Sequence, residues 1–190
     1  MFYHLPLKHW VRGLFSQPSL APFLQLEQDN YSHGSVRQSN GYRQKAIDNP
    51  VINSDQRNQA LIGTADGVPL FGVGNGNRAG TPFMLRTANA PEAVSLKLYN
   101  CHLHGFLPNE YFTTNPDYPL KKNPVRDHFS TKNSCGALTV LVDDLLTAYK
   151  KGFKVVDQSK PLGDPERVFT CKTVLLYWSV SVLLARVSTC

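Results

Sequence analysis

A carboxylate at the end of an apolar run is the first residue in this chain whose type and place could do chemistry. Gln59-Ala60-Leu61-Ile62-Gly63-Thr64-Ala65-Asp66 is an apolar stretch of strand length, stopped by the turn-forming pair Asp66-Gly67. Acids converging from neighbouring strand ends can hold two divalent ions roughly 3.5–4 Å apart at a phosphodiester. Hard, magnesium-like ions take oxygen ligands, so any partners of Asp66 in such a site must be Asp or Glu. The plainer alternative is that Asp66 hydrogen-bonds its own turn.

Other side chains qualify by type. Cys101-His102-Leu103-His104 sets two imidazoles two residues apart, on one face of a strand. A zinc site needs about four ligands and no partner cluster is visible nearby, so these read as structural histidines. Asp143-Asp144 resembles a metal pair, but the surrounding apolar spacing puts both on or beside the solvent side of a helix. Lys121-Lys122 with Arg126 and His128, in a proline-rich stretch, could touch a phosphate backbone or simply face water. The glycine-dense segment from Gly72 to Gly80 suggests a phosphate loop only if it opens a helix. It leads instead into Thr81-Pro82-Phe83-Met84-Leu85-Arg86, which reads as a strand, so a hairpin is expected.

The elements that must position these residues follow from periodicity. Residues 1–25 read as a short extended or helical segment, with Trp10 and Leu14 at helical spacing, and residues 27–58 as a polar surface connection. Alternation from Val94 to Leu98 predicts a half-buried strand that runs on to Leu107. Residues 134–151 place Leu138, Leu141, Val142, Leu145, Leu146 and Tyr149 on one helical stripe, with Thr131 or Ser134 as cap and Gly152 as stop. Residues 167–178 are rich in β-branched and aromatic types and read as a strand buried on both faces. The expected fold is α/β: three antiparallel strands, a crossover helix and a further strand, a partial ribonuclease-H-like core preceded by an irregular N-terminal segment.

Composition sets wider bounds. Of 190 residues, 42% are hydrophobic and 18% charged, which suits a folded chain. The net charge of +6 and pI near 9.2 are compatible with a polyanionic partner, although the basic residues are spread along the sequence. Cys101, Cys135, Cys171 and Cys190 form no C-x-x-C pair, so a reducing intracellular compartment is expected. The N-terminus lacks the apolar core of a signal peptide. The apolar stretch 173–190 is broken by serines and Arg186 and reads as a buried strand rather than a span, so no membrane is expected.

At this point the residues resemble a known family. Gln59-Ala60-Leu61-Ile62-Gly63-Thr64-Ala65-Asp66-Gly67-Val68-Pro69-Leu70-Phe71 resembles the x-G-T-x-D-G-x-P/N-x-F segment of CACTA-type (En/Spm-like) cut-and-paste DNA transposases. Tyr3-His4-Leu5-Pro6-Leu7 through Leu14-Phe15 is similar to the segment before their catalytic domain, and Asp55-Gln56-Arg57-Asn58 to the lead into their first strand. Pro82 to Pro91 resembles their P-F-x-L-R-x-x-N-x-P strand. Val142-Asp143-Asp144-Leu145-Leu146 with Tyr149-Lys150-Lys151-Gly152 resembles their helix, and Phe169 to Trp178 the strand leading to their second acid. The resemblance covers residues 1–178 in consistent order. It implies a DDE/D-type, Mg2+-dependent enzyme acting on DNA transposon ends in the nucleus, with Asp66 as first catalytic acid and metal ligand.

The family continues beyond that strand with a Thr/Ser-x-Asp-x-Pro segment, a Cys-x-x-Cys-like element and a third acid. Here Trp178 is followed by Ser179-Val180-Ser181-Val182, and residues 167–190 contain neither Asp nor Glu. The expected organisation is an N-terminal segment and polar linker over 1–58, a partial catalytic domain over 59–178 and an atypical tail over 179–190. The expected protein is a truncated, inactive transposase relative, since one water-exposed aspartate binds magnesium weakly. The alternative is a non-catalytic DNA- or protein-binding remnant.

Overall fold

The computed structural model describes residues 3–25, 39–65, 68–69, 79–108 and 132–180. In chain order the chain forms β1 (Tyr3–His4), α1 (Leu7–Phe15), a 3-10 turn (Ala21–Leu24), α2 (Asn40–Ile47), α3 (Pro50–Ser54), β2 (Gln59–Ala65), β3 (Val68–Pro69) and β4 (Ala79–Thr87). Then come α4 (Glu92–Ser95), a 3-10 turn (Leu98–Asn100), β5 (His102–Pro108), α5 (Lys132–Lys150), β6 (Phe153–Val156), β7 (Val168–Cys171) and β8 (Thr173–Val180).

The main sheet runs β1-β5-β4-β2-β8, with β3 paired to β4. β4 lies between β2 and β5 and is antiparallel to both, and β8 lies parallel to β2. The chain is therefore mixed α/β with a mostly antiparallel sheet. Between β5 and β8 it passes through α5 and the separate β6–β7 hairpin.

Both faces of β2 are covered, as alternation along a strand requires. Leu61 packs with Leu85, Ala148, Val155, Phe169 and the α1 residues Leu7, Val11, Leu14 and Phe15. Ala60 and Ile62 point the other way, into a second cluster with Tyr42 of α2, Ile52 of α3 and Val174. The helices α2 and α3 correct the expected irregular connection over 27–58. Asn49 supplies the reason: its side chain accepts from Val51 N and Ile52 N, and Pro50 opens the helix where its missing N–H costs nothing. Residues 26–38 lie outside the described residues.

Two further expectations are corrected. Residues 92–100 form short helical turns rather than a strand, and Leu98 is exposed. Pro91 opens the turn, and Asn100 Nδ2 donates to Val94 O at 2.9 Å, so local partners replace a strand ladder. The strand expected over 167–178 is cut at Lys172 into β7 and β8, which serve different sheets. Lys172 N donates to Asn58 Oδ1 at 2.8 Å, which takes it out of the β7 ladder. Leu175, Leu176 and Tyr177 are half-buried and Trp178 is exposed, so β8 is not buried on both faces throughout.

α5 ends as its sequence predicts: Lys151 N and Gly152 N both donate to Thr147 O, with Gly152 at φ 65°. A Cβ at Gly152 would come 2.6 Å from Cys171 O, so glycine is required there twice over. The helix already includes Ser134, which is therefore not its cap, and Thr131 lies outside the described residues.

A buried amide network holds the start of β2. Asn89, fully buried, accepts from Ala60 N at 2.9 Å and donates to Leu24 O and Asn58 O, each at 2.9 Å. Gln59 Nε2 donates to Leu24 O at 3.1 Å and Arg57 O at 2.8 Å, while Thr87 Oγ1 donates to Gln59 Oε1 at 2.7 Å. Each buried polar group stranded by a lost partner costs roughly 1–3 kcal/mol. Asn89→Ala is therefore expected to destabilise by about 3 kcal/mol, measured by denaturant unfolding; an unchanged midpoint would refute the role of the network.

The parallel pairing of β2 and β8 has its own close contact. Gly63 is the register partner of Trp178, and a Cβ at Gly63 would collide with the Trp178 indole. Gly63→Ala is expected to cost about 1–3 kcal/mol through overpacking. Trp178→Leu in the same chain should recover most of that loss, because the obstructing ring is gone; a double variant as unstable as Gly63→Ala would show that the indole is not the obstacle.

Candidate functional site

Two places bring chemically capable side chains together or close to it. The first is the carboxyl end of β2. Its register with β8 runs from Gln59↔Thr173 to Ala65↔Val180, with one irregularity between Leu61 and Ile62. The carboxyl ends of the two parallel strands are therefore neighbours. Asp66 follows Ala65 directly in sequence but, with Gly67, lies outside the described residues. The neighbouring end of β8 carries Trp178, Ser179 and Val180, and none of these is an acid. A pair of hard divalent ions needs several carboxylates, so the residues at these strand ends do not suit a two-magnesium centre. Lys121, Lys122, Arg126 and His128, and the glycines between Gly72 and Gly76, also lie outside the described residues. β3 and β4 flank that glycine segment as an antiparallel pair.

The second place lies between β1, β5 and α5. β1 pairs with β5 so that His4 stands opposite Gly105. His104 is fully buried, and its ring meets His4 edge to face at 5.2 Å between centroids. Its Nε2 donates to Leu141 O of α5 at 3.1 Å, because a carbonyl can only accept. Asp144, one turn further along α5, brings Oδ2 to 3.2 Å from His4 Nε2 and 3.9 Å from His104 Nδ1. The same oxygen accepts from Leu7 N at 2.8 Å. A carboxylate there also satisfies an otherwise orphan N–H at the start of α1 and faces the positive end of the helix.

His102 stands one pleat along β5. Its Nε2 donates to Leu5 O at 2.9 Å and its ring stacks on Trp10 at 5.2 Å and 12°. Trp10 Nε1 in turn donates to Asn100 O at 3.2 Å. Burial, with help from the nearby His104, pushes the His102 pKa down to about 4. Burial also lowers that of His104. Both imidazoles are therefore neutral near pH 7. His102 serves as the packed, structural histidine that the sequence suggests.

Asp144 corrects the expectation of a solvent-facing pair. Asp143 is exposed, but Asp144 lies three residues after buried Leu141 and four before buried Ala148, in the middle of the inward face of α5. Val142 and Leu146, assigned to the apolar stripe, are instead exposed. That spacing was the available signal for Asp144. His4 had no local signal, because 140 positions separate it from its carboxylate partner.

No helix among the described residues is long and apolar enough to cross a membrane. Comparison with protein-family models, with curated proteins and with solved structures gives no match to this chain.

Proposed function

We propose that this chain is a transposase-like protein of nuclease ancestry, built on the first strands of a ribonuclease-H-like core and carrying only the first of its acids, Asp66. The strand arrangement is what carries this reading. β2 has antiparallel β4 on one side and, after a crossover through α5, parallel β8 on the other. Asp66 is the next residue after Ala65, the last residue of β2, and the sequence around it resembles the first-acid segment of the CACTA-type family.

Because β8 brings no acid to the neighbouring strand end, this chain is expected not to cleave DNA by itself. A purely binding role, to DNA or to protein, is the second reading, favoured by that same missing acid. The +6 net charge supports a DNA partner.

Two measurements test these readings. In a plasmid-nicking assay with Mg2+ or Mn2+, the 190-residue chain and its Asp66→Asn variant should both be silent. Binding to duplex DNA, followed by fluorescence anisotropy, should weaken steadily as salt rises. Metal-dependent nicking that survives Asp66→Asn would overturn the assignment of Asp66, and no binding at low salt would remove DNA as partner. The ancestry is tested separately by reading the genomic DNA beyond the Trp178 codon in all three frames. An Asp followed shortly by Pro, then Cys-x-x-Cys, is expected; no such pattern in any frame would overturn the nuclease ancestry.

A further inference from the structure

We propose that His4, His104 and Asp144 form a site for one divalent transition-metal ion of the zinc type, which fastens the N-terminal strand β1 to the sheet and to α5. The site is independent of the nuclease reading and of Asp66. Its ligand atoms, one from each residue, lie within 4.8 Å of one another. Around a tetrahedral ion with bonds near 2.0–2.1 Å, ligand atoms stand roughly 3.3–3.5 Å apart. The separations of 3.2 Å and 3.9 Å to Asp144 Oδ2 are close to that, and His4, only half-buried on a two-residue strand, is placed to adjust.

The chemistry of His104 points to a cation. A neutral imidazole carries one N–H, and here that hydrogen is committed to Leu141 O through Nε2. Nδ1 is therefore a bare lone pair. It is buried without a hydrogen-bond partner and faces a carboxylate oxygen, which is also an acceptor. Two acceptors turned towards each other in a buried place repel unless something positive lies between them. An ion coordinated by Nδ1 and Oδ2 removes that conflict.

The surroundings are those of a prepared ligand set. Metal-binding histidines commonly donate their second ring nitrogen to a backbone carbonyl, and ligating carboxylates are themselves hydrogen-bonded. His104 does the first through Leu141 O and Asp144 the second through Leu7 N. Two imidazoles and one carboxylate suit zinc and its neighbours rather than magnesium, which prefers oxygen alone. Three protein ligands leave a fourth position for water.

The test uses the 190-residue chain freed of metal by chelation, with Zn2+ and Co2+ as probes. One Zn2+ should bind per chain by calorimetry, and Co2+ should give the intense visible bands of a four-coordinate site. At a hundredfold excess of free Zn2+ over Kd, Tm should rise by about 5–10 °C. His4→Gln and Asp144→Asn should each weaken Zn2+ binding by roughly tenfold or more. His4→Gln alters a half-buried edge residue, and Asp144→Asn keeps an acceptor for Leu7 N. His9→Gln, an exposed histidine on α1, should leave affinity unchanged. The proposal is overturned if Zn2+ does not move Tm of the unaltered chain, or if His4→Gln binds it as tightly. Loss of binding in His9→Gln would equally overturn it, by assigning the ion to the surface.

Discussion

Everything in this fold hangs from the amides at the start of β2. Asn89 binds the carbonyl of Asn58, and the side chains of Asn58, Gln59 and Asn89 between them bind the carbonyl of Leu24 that ends the N-terminal turns, the carbonyl of Val51 in α3 and the Lys172 N–H that precedes β8. These groups are buried, so each bond replaces one that water can no longer supply. The N-terminal segment, both flanking strands and the helix on the opposite face are thereby fixed to one short length of chain. Hydrophobic contacts around Leu61 and Ile62 fill the space between them, but they have no directional preference of their own. The amides supply the direction.

The coarse fold was legible where the signal is local. The apolar run that stops at a turn gave β2, and the 3.6-residue period with a glycine stop gave α5. The elements misread are those in which a side chain rather than a period decides. Asn49 and Pro50 start a helix in a polar stretch, Asn100 closes turns where alternation suggests a strand, and Asn58 takes the Lys172 N–H and so divides one apolar run into two strands. A short polar side chain competes with the ladder for backbone partners, and hydropathy does not register that competition.

The two candidate centres differ in how far the sequence reveals them. Asp66 is marked by its immediate neighbours, so it could be read without any structure, although its chemical partners could not be supplied. The histidine–aspartate cluster is the reverse case. His104 is visible beside His102, but β1 and α5 bring its companions from 100 positions earlier and 40 later, and only the folded sheet brings them together. Its donors are also of a different kind: nitrogen and a single carboxylate, held by backbone groups, rather than a set of acids at strand ends.

The parallel pairing of β2 and β8 has a cost in time. Lys172, just before β8, meets Asn58, just before β2, across 114 positions of chain. Closing so long a loop must precede any reward from the pairing, and topologies of this kind reach their native contacts slowly. β2, β4 and β5 can meet early, as close neighbours in sequence, with one flank of β2 still open to solvent. On a ribosome that flank waits until α5 and the β6–β7 hairpin have emerged. The lifetime of the unpaired strand, more than the final stability of the sheet, then governs how much of the chain escapes sticking to another copy of itself.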